Sequence, residues 1–190
     1  MMKKKLKEIC FISSGQIAPQ DPEDYKDGEY SFIKASDLDT IISDDSEINC
    51  TKINHKALEE HKLRSYPSNS VLFAKSGLSC MKNRVYVTKG EAFVVNHLCV
   101  LSDIKNEIIP GWLALYLKHY DVTKMIRDLA YPSIKLSDVG NLEVDYPSRT
   151  TQERQFASIE NIRAMIRNRL IELTSLDHLV KSRFRGEARA

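Results

Sequence analysis

Short runs of apolar residues, separated by turn residues, make up the first 148 positions of the chain. Several of these runs are apolar throughout or alternate with polar residues, as β-strands do. They span residues 30–34, 71–74, 84–88, 92–95, 98–101 and 142–146. Their close spacing predicts a compact mixed or antiparallel sheet. The sequence Lys89-Gly90-Glu91 predicts a hairpin turn between two of the strands.

Apolar residues at helical spacing predict helices between these strands. Residues 54–63 form a predicted short helix with Asn54 as its N-cap. Pro110 begins a second helix, which is expected to run to about Leu129 because its apolar positions fit one broad buried face. Residues 36–39 are interpreted as a loop or short turn, and residues 136–142 as a short element.

The clearest helix covers residues from about 150 to 185, where glycine and proline are absent. Thr150 and Glu153 have the spacing of a capping box at its start. The helix would be ~50 Å long at ~1.5 Å per residue, which is longer than a small domain can cover. One heptad core position holds Ile159, Ile166, Leu173 and Val180, and the other holds Phe156, Arg163, Leu170, Asp177 and Phe184. This seam predicts packing on another helix, in this chain or another; a helix folded back over its own domain is the alternative.

Together these elements predict an α+β fold in two parts. Residues 1–148 form a domain with a small twisted sheet and helices, and residues 149–190 form one long helix of coiled-coil type. The chain has 190 residues, of which 42% are hydrophobic, so it can bury a sizeable core.

Composition excludes several classes of protein. No apolar run approaches the ~20 residues that span a bilayer, and the basic N-terminus leads into no signal-peptide core, so we expect a cytoplasmic protein. The cysteines form no Cys-x-x-Cys pair and are expected to be buried free thiols; they are Cys10, Cys50, Cys80 and Cys99. The histidines show no metal-ligand spacing, so neither a metal site nor a cofactor is expected.

Charge is distributed unevenly along the chain, although the net charge is only +2. Residues 21–47 carry −8, residues 48–90 carry +6 and residues 149–190 carry +4. Nucleic acid would therefore bind through a local patch and not through a generally basic surface. Solvated faces without a ligand are the other interpretation.

Catalytic motifs are missing from the sequence. It has no phosphate-binding loop and no G-x-S-x-G turn. An adenine methyltransferase would need an Asn/Asp-Pro-Pro-aromatic loop, and residues 144–147 have the wrong order for one. The acids Glu107, Asp121 and Glu143 lack the spacing of a nuclease site. We therefore expect a protein without a catalytic centre.

Two loops have the chemistry of a DNA contact. In the first, a buried strand at 71–74 leads into Lys75, Ser76 and Gly77, followed by Lys82, Asn83 and Arg84. Lysine and serine suit phosphates, while asparagine and arginine suit base edges. The second loop is also small, polar and basic, and contains Tyr131, Ser133 and Lys135. An ordinary hydrophilic hairpin loop is the alternative interpretation for these segments.

In this order and spacing, four segments resemble the specificity subunits of type I restriction–modification enzymes. They are residues 6–15, 30–38, 71–77 and the stretch from 144–147 into 152–159. The third has Ser68-Asn69-Ser70 where the family usually has Gly-Asp. In the last, the family's Glu-Gln pair is displaced within residues 152–155. The resemblance covers essentially the whole chain, as one target-recognition domain and one spacer helix, that is, half of the usual subunit.

The resemblance implies a non-catalytic subunit that binds a specific sequence of double-stranded DNA. It would direct methyltransferase subunits, and also a restriction subunit, which supply the chemistry that uses S-adenosylmethionine and ATP. On this interpretation Lys75, Lys82 and Arg84 contact phosphate or guanine and Asn83 a base edge, with Ser76, Tyr131, Ser133 and Lys135 beside them.

The helix seam would then serve as the surface for pairing and for the methyltransferase. Its residues are Phe156, Ile159, Ile166, Leu170, Leu173 and Val180. A second copy would pair antiparallel with it to give a homodimer that reads an inverted repeat. Two other classes fit the same residues: a stand-alone DNA-binding protein, and a helix-mediated interaction module without a DNA role.

Overall fold

The computed structural model describes residues 2–187, with side chains up to Phe184. The chain divides into two compact units, Met1–Gln152 and Glu153–Ala190. The strands are β1 (Met2–Lys5), β2 (Phe11–Ser14), β3 (Tyr30–Ile33), β4 (Lys52–Ile53), β5 (Val71–Ala74), β6 (Val85–Val87), β7 (Phe93–Val94), β8 (Leu98–Ser102) and β9 (Glu143–Tyr146). The α-helices are α1 (Leu6–Ile9), α2 (Leu38–Asp44), α3 (His55–Glu60), α4 (Pro110–Tyr120), α5 (Leu136–Asn141) and α6 (Arg149–Glu187). The predicted α+β class is confirmed.

A four-stranded antiparallel sheet, in the order β2-β8-β5-β6, lies at the centre of the first unit. Every residue of β5 and β8 is buried, as expected of strands that have neighbours on both edges and are covered on both faces. The strands predicted at 71–74 and 98–101 are therefore confirmed.

A smaller sheet, in the order β4-β3-β7, corrects the predicted hairpin at residues 89–91. β7 pairs in parallel with β3, while β6 pairs only with β5. The chain turns away after β6 because Ala92 exchanges two backbone hydrogen bonds with Tyr66, of 2.8 and 3.0 Å. The chain bends at residues 89–90, but the partner of the next strand lies 61 residues earlier in the sequence.

Two helix predictions are also corrected. Residues 38–44 form α2, where a loop or short turn was expected, since burial of Leu38 and Ile41 favours a helix in an acidic segment. The helix α4 ends at Tyr120 and not near Leu129, because Asp121 adopts a positive φ of 67° and its side chain accepts a hydrogen bond from the Thr123 amide.

The helix predicted at 54–63 is confirmed as the shorter α3. Its N-cap is Asn54, whose side chain accepts a hydrogen bond of 2.9 Å from the Ala57 amide. All four cysteines are buried free thiols, as predicted. Burial raises the pKa of the Cys10 thiol to about 12, so this thiol is unreactive at neutral pH.

The start of α6 is fixed to the first unit by Gln152, whose side chain is fully buried. Its Oε1 accepts a hydrogen bond of 2.9 Å from the Ile109 amide, and its Nε2 donates to the carbonyls of Glu107 (2.9 Å) and Pro147 (3.0 Å). Nearby, β1 pairs with β9, so both ends of the first unit lie side by side. Gln152 thus joins the segment before α4 to the segment before α6.

The helix α6 has 39 residues and is ~58 Å long at ~1.5 Å per residue. Its apolar side chains are exposed from Ile159, at 38%, to Phe184, at 70%. Among the residues that the structure describes, no helix is both long and apolar enough to cross a membrane.

We predict that Gln152→Ala lowers the free energy of unfolding by about 2–4 kcal/mol, because it removes a fully buried side chain and leaves one part-buried amide and two carbonyls without their partner. Urea denaturation followed by circular dichroism measures the change. The control is Gln20→Ala, at an exposed position, which should change stability by less than about 0.5 kcal/mol. Equal effects of the two substitutions would contradict the assigned role of Gln152.

Candidate nucleic-acid interface

The antiparallel sheet brings several loops together at one of its ends. In the register, Ser14 lies opposite Cys99, Ala74 opposite Leu98, and Phe73 opposite Val85. Because neighbouring strands run in opposite directions, β2 and β5 end where β8 and β6 begin. We call this region the loop end, and it comprises residues 15–20, 75–84, 95–97 and 131–135.

The two loops that the sequence singled out are joined directly at the loop end. The Ile134 amide donates to the Lys75 carbonyl (2.8 Å), and the Gly77 amide donates to the Pro132 carbonyl (3.1 Å). Between these bonds, Ser76 and Ser133 form an antiparallel bridge. We call this connection the clip. It places two polar, basic segments, more than fifty residues apart in sequence, on one surface.

Side chains on both sides of the clip are accessible. Ser133 and Lys135 are exposed, Lys75 and Ser76 are half-buried, and Tyr131 is 82% exposed. Hydroxyl, ammonium and phenol groups are therefore presented together, which suits contacts with phosphates and base edges.

His97 belongs to the same surface, although it is part of neither predicted loop. The Nδ1 of His97 lies 2.8 Å from the Ser76 Oγ, and its backbone carbonyl accepts a hydrogen bond of 2.8 Å from the Lys75 amide. The sequence signal that could have identified His97 is its position immediately before the apolar run of β8, where a polar side chain is expected to lie outside the core.

Gln16 holds the segment that contains the cations Lys62 and Arg64 at the loop end. Its Oε1 accepts a hydrogen bond of 2.5 Å from the Arg64 amide, and its Nε2 donates to the Lys62 carbonyl (3.4 Å). The side chains of Lys62 and Arg64 are exposed. Both belong to the positive block at 48–90, but only the fold shows that they lie beside Gln16 at the loop end.

Two other predicted residues of the first loop, Arg84 and Asn83, face the protein, while Lys82 lies on the surface. Arg84 has a side chain that is only 10% exposed, and its guanidinium lies 2.8 Å from Asp39 and 3.3 Å from the Ser79 carbonyl. Asn83 donates a hydrogen bond of 2.6 Å to the Lys118 carbonyl. Lys82 is exposed and lies 3.3 Å from Asp39. These contacts hold the first loop against neighbouring segments of the first unit.

The charge of Asp39 is stabilised by these two cations. Burial disfavours ionisation of this carboxyl, but hydrogen bonds from Arg84 and Lys82 outweigh that effect and hold its pKa below the ordinary value. Asp39 therefore remains charged at neutral pH and offsets part of the positive charge of the loop.

Apolar side chains also project from the loop end. Leu78 follows Gly77 in the clip and is 79% exposed, close in sequence to the exposed Met81. Leu129 is exposed near Tyr131 in the second loop. The surface thus combines cations, hydroxyls and uncovered apolar groups.

One group of described residues away from the clip has metal-ligating atoms close together. Ligand atoms of Asp24, Glu60 and His61 all lie within 4.8 Å of one another. His61, which follows α3, lies 2.9 Å from Asp24 and so links the helix to the turn at 22–25. Within α3, Lys56 lies 3.5 Å from Glu60. No motif in the sequence indicates this group, because its members come from two distant segments.

The predicted seam on α6 is exposed along most of its length. Ile159, Ile166, Leu170, Leu173 and Val180 are between 38% and 61% exposed, and Phe156 is half-buried. Exposed apolar patches of this kind mark interaction surfaces.

The chain is similar to proteins of one family. A profile of the type I restriction modification DNA specificity domain matches residues 1–175. The type I restriction enzyme MjaIX specificity subunit of Methanocaldococcus jannaschii is 29% identical over 148 residues, which are 76% of this chain and 33% of that protein. The chain therefore spans about a third of the length of this curated relative.

Solved structures of low sequence identity share the fold. The HsdS subunit from Thermoanaerobacter tengcongensis matches with a TM-score of 0.62 at 18% identity, over 87% of this chain and 38% of that one. A chain from a structure on complex assembly in the type I R-M system matches with a TM-score of 0.63 at 17% identity, again over 87% and 38%.

We predict that Gly77→Ala destabilises the protein by about 1–3 kcal/mol, even though no atom lies within 4 Å of the added Cβ. The reason is the backbone, since φ 72° and ψ −177° form a conformation that is essentially restricted to glycine. Gly90→Ala is the matched control, because it also adds a Cβ in open space but its φ is outside the left-handed region. Thermal unfolding of both variants makes the comparison, and a neutral Gly77→Ala would refute the strain assigned to the clip.

Proposed function

The chain belongs to the family of type I restriction modification DNA specificity domains, and on that premise we propose that it reads a sequence in double-stranded DNA and directs methyltransferase subunits to it. Residues 1–148 act as the target-recognition domain and residues 149–190 as the spacer helix. The chain itself contributes no catalytic group, and a restriction subunit joins through the same assembly.

The clip is the observation that carries this proposal. It holds two segments with DNA-contact chemistry at one end of a buried sheet through backbone hydrogen bonds. Their side chains remain available to a ligand, and a rigid support of this kind is what sequence reading requires. Ser76, Tyr131 and Ser133 would contact base edges or sugars, and Lys75 and Lys135 would contact phosphates.

The charge distribution supports a local DNA footprint at the loop end. Lys62 and Arg64, positioned through Gln16, extend the cationic surface of Lys75 and Lys135. Phosphate contacts supply much of the affinity for DNA and release counterions. A protein with a net charge of only +2 requires such a concentrated patch.

We assign positioning roles to Arg84 and Asn83, and a more exposed role to Lys82. The guanidinium of Arg84 and the amide of Asn83 are engaged with Asp39 and Lys118. In the proposed complex they hold the first loop in place for Lys75 and Ser76. Lys82 remains on the surface, where a phosphate competes with Asp39 for its ammonium group.

The seam of α6 is the proposed assembly surface. Phe156, Ile159, Ile166, Leu170, Leu173 and Val180 would pack on a helix of a second copy and on the methyltransferase. A two-fold homodimer would present two loop ends to one DNA duplex and read an inverted repeat with a gap.

We predict that Lys75→Ala and Lys135→Ala each weaken DNA binding and reduce the slope of log K against log salt by about one. The control is Lys105→Ala, because this exposed lysine follows the far end of β8. Titrations of the target duplex at several salt concentrations give the slopes. A fall in slope in the control equal to that of Lys75→Ala would place the footprint elsewhere.

We predict that a new split methylated motif appears in the genome of a host that expresses this chain with the methyltransferase subunit of its own locus. The host that lacks only this chain should not show the motif. Methylome sequencing of both hosts makes the comparison, and a palindromic motif would indicate two copies. If both proteins are present and no motif depends on the chain, the specificity role is refuted and a helix-mediated interaction module takes its place.

A further inference from the structure

The two most exposed large apolar side chains of the first unit lie at equivalent positions on the two segments of the clip. Tyr131 is 82% exposed and Leu78 is 79% exposed. Each lies two residues from the antiparallel bridge between Ser76 and Ser133, on the same side of it. Between the bridge and this pair, the Gly77 amide donates to the carbonyl of the opposite segment (3.1 Å). The backbone therefore brings both apolar side chains to one end of the clip.

The backbone next to each of these residues is anchored in the first unit. Leu78 begins a short 3-10 turn, in which the Cys80 amide donates to the Gly77 carbonyl (3.0 Å) and the Cys80 side chain is fully buried. Tyr131 precedes Pro132, which is buried. An apolar side chain on a loosely held loop can fold back onto the protein. These two remain exposed beside anchored neighbours, so they are presented to a ligand.

The charges around the pair indicate what kind of ligand fits. Residues 75–84 and 131–135 contain no acidic residue, and their cations are Lys75, Lys82, Arg84 and Lys135. Phosphates attract lysine, whereas lysine is depleted at protein–protein interfaces. An apolar pair surrounded by lysines therefore favours DNA over a protein as the ligand.

From this arrangement we infer that Leu78 and Tyr131 form a wedge that opens one base step of the target duplex. Leu78 enters between two neighbouring base pairs, and the ring of Tyr131 covers the displaced base or its sugar. Leucine is among the side chains that DNA-binding proteins insert between base steps. The inference rests on the DNA binding proposed above, to which it adds a residue that reads the deformability of the duplex.

The wedge makes the sequence at the opened step matter, although no base edge is read there. Pyrimidine–purine steps such as TA and CA unstack more easily than other steps, so the cost of insertion depends on the sequence. Leu78 is thus a specificity-determining residue that selects a flexible step, whereas phosphate contacts contribute affinity at any sequence. Its effect on affinity is small, because the cost of unstacking offsets much of what the inserted side chain contributes.

Aminopurine, a fluorescent analogue of adenine that is quenched by stacking, measures the opened step directly. A library of random duplexes is enriched with the wild-type full chain, and each adenine of the selected duplex is then replaced in turn. The methyltransferase is left out, because such enzymes flip bases themselves. We expect a several-fold rise in fluorescence at one step when the wild type binds, and no rise with Leu78→Ala at saturating protein. Leu78→Met should retain the rise, because methionine also acts as a wedge.

Ile48→Ala is the matched control, because Ile48 is also a large apolar residue and is 73% exposed. It follows Glu47, which accepts a hydrogen bond of 2.6 Å from the Lys89 amide, beyond the end of β6 that lies opposite the loop end. This variant should keep the rise in fluorescence. None of these substitutions should change thermal unfolding, because the side chains are exposed.

Affinity and sequence selection separate the wedge from the phosphate contacts. Leu78→Ala should weaken binding by no more than about tenfold and keep the salt dependence of the wild type, since it removes no phosphate contact. Duplexes enriched with Leu78→Ala should lose the preference at the opened step and keep the preferences elsewhere. Tyr131→Ala should weaken binding by about tenfold, also without a change in salt dependence, as expected when one stacked base is lost.

The wedge is overturned if no aminopurine position responds to wild-type binding, or if Leu78→Ala keeps the response. A Leu78→Ala variant that binds DNA as the wild type does but fails to capture the methyltransferase subunit would assign this side chain to a protein contact instead. Enrichment of a sequence without a responding position removes the wedge alone. If the wild type enriches no sequence, DNA reading itself is refuted, and the wedge with it.

Discussion

The antiparallel pairing of β8 with both β2 and β5 is the constraint on which the candidate interface depends. β8 is buried along its whole length and has a neighbour on each edge. A shift of register by one residue would turn its apolar side chains to the other face, so core packing fixes the register. The same register fixes where β2 and β5 end. Packing of the hydrophobic core therefore determines where the loops of the loop end begin.

The clip extends this order beyond the sheet without using side chains. Its hydrogen bonds join backbone groups of Lys75, Gly77, Pro132 and Ile134, so they depend little on which side chains these loops carry. Only Gly77 is required by its conformation. Such a support can hold different polar side chains in the same place, which is the property that a reader of DNA sequence needs. The contacts of Arg84 with Asp39 and of Asn83 with the Lys118 carbonyl hold the first loop in place as well.

Local signals in the sequence predicted much of the fold. Continuous apolar runs identified β5 and β8, and the Asn54 cap identified α3. The long-range pairing of strands could not be predicted, since β7 pairs with β3 and not with β6. The helix α2 was missed because its acidic segment has only two buried residues, which are too few to show a helical period. Both loops of the candidate interface were identified from their polar and basic residues, but the backbone hydrogen bonds that join them in the clip were not predicted. Residue type could not show that Arg84 faces inward while Lys75 is accessible, because arginine and lysine are both usually exposed.

The long helix differs from the strands in how much of its structure its own sequence determines. In the first unit, each strand finds its partner in another segment, and the sequence of one segment does not identify the other. The backbone hydrogen bonds of a helix form within the segment itself, so the heptad period of α6 could be recognised from the sequence alone. Its apolar side chains from Ile159 to Phe184 are exposed, which is typical of a surface on which another helix packs. Arg163 and Asp177 interrupt this apolar stripe, and charges in core positions cost stability but restrict the partners and registers that fit.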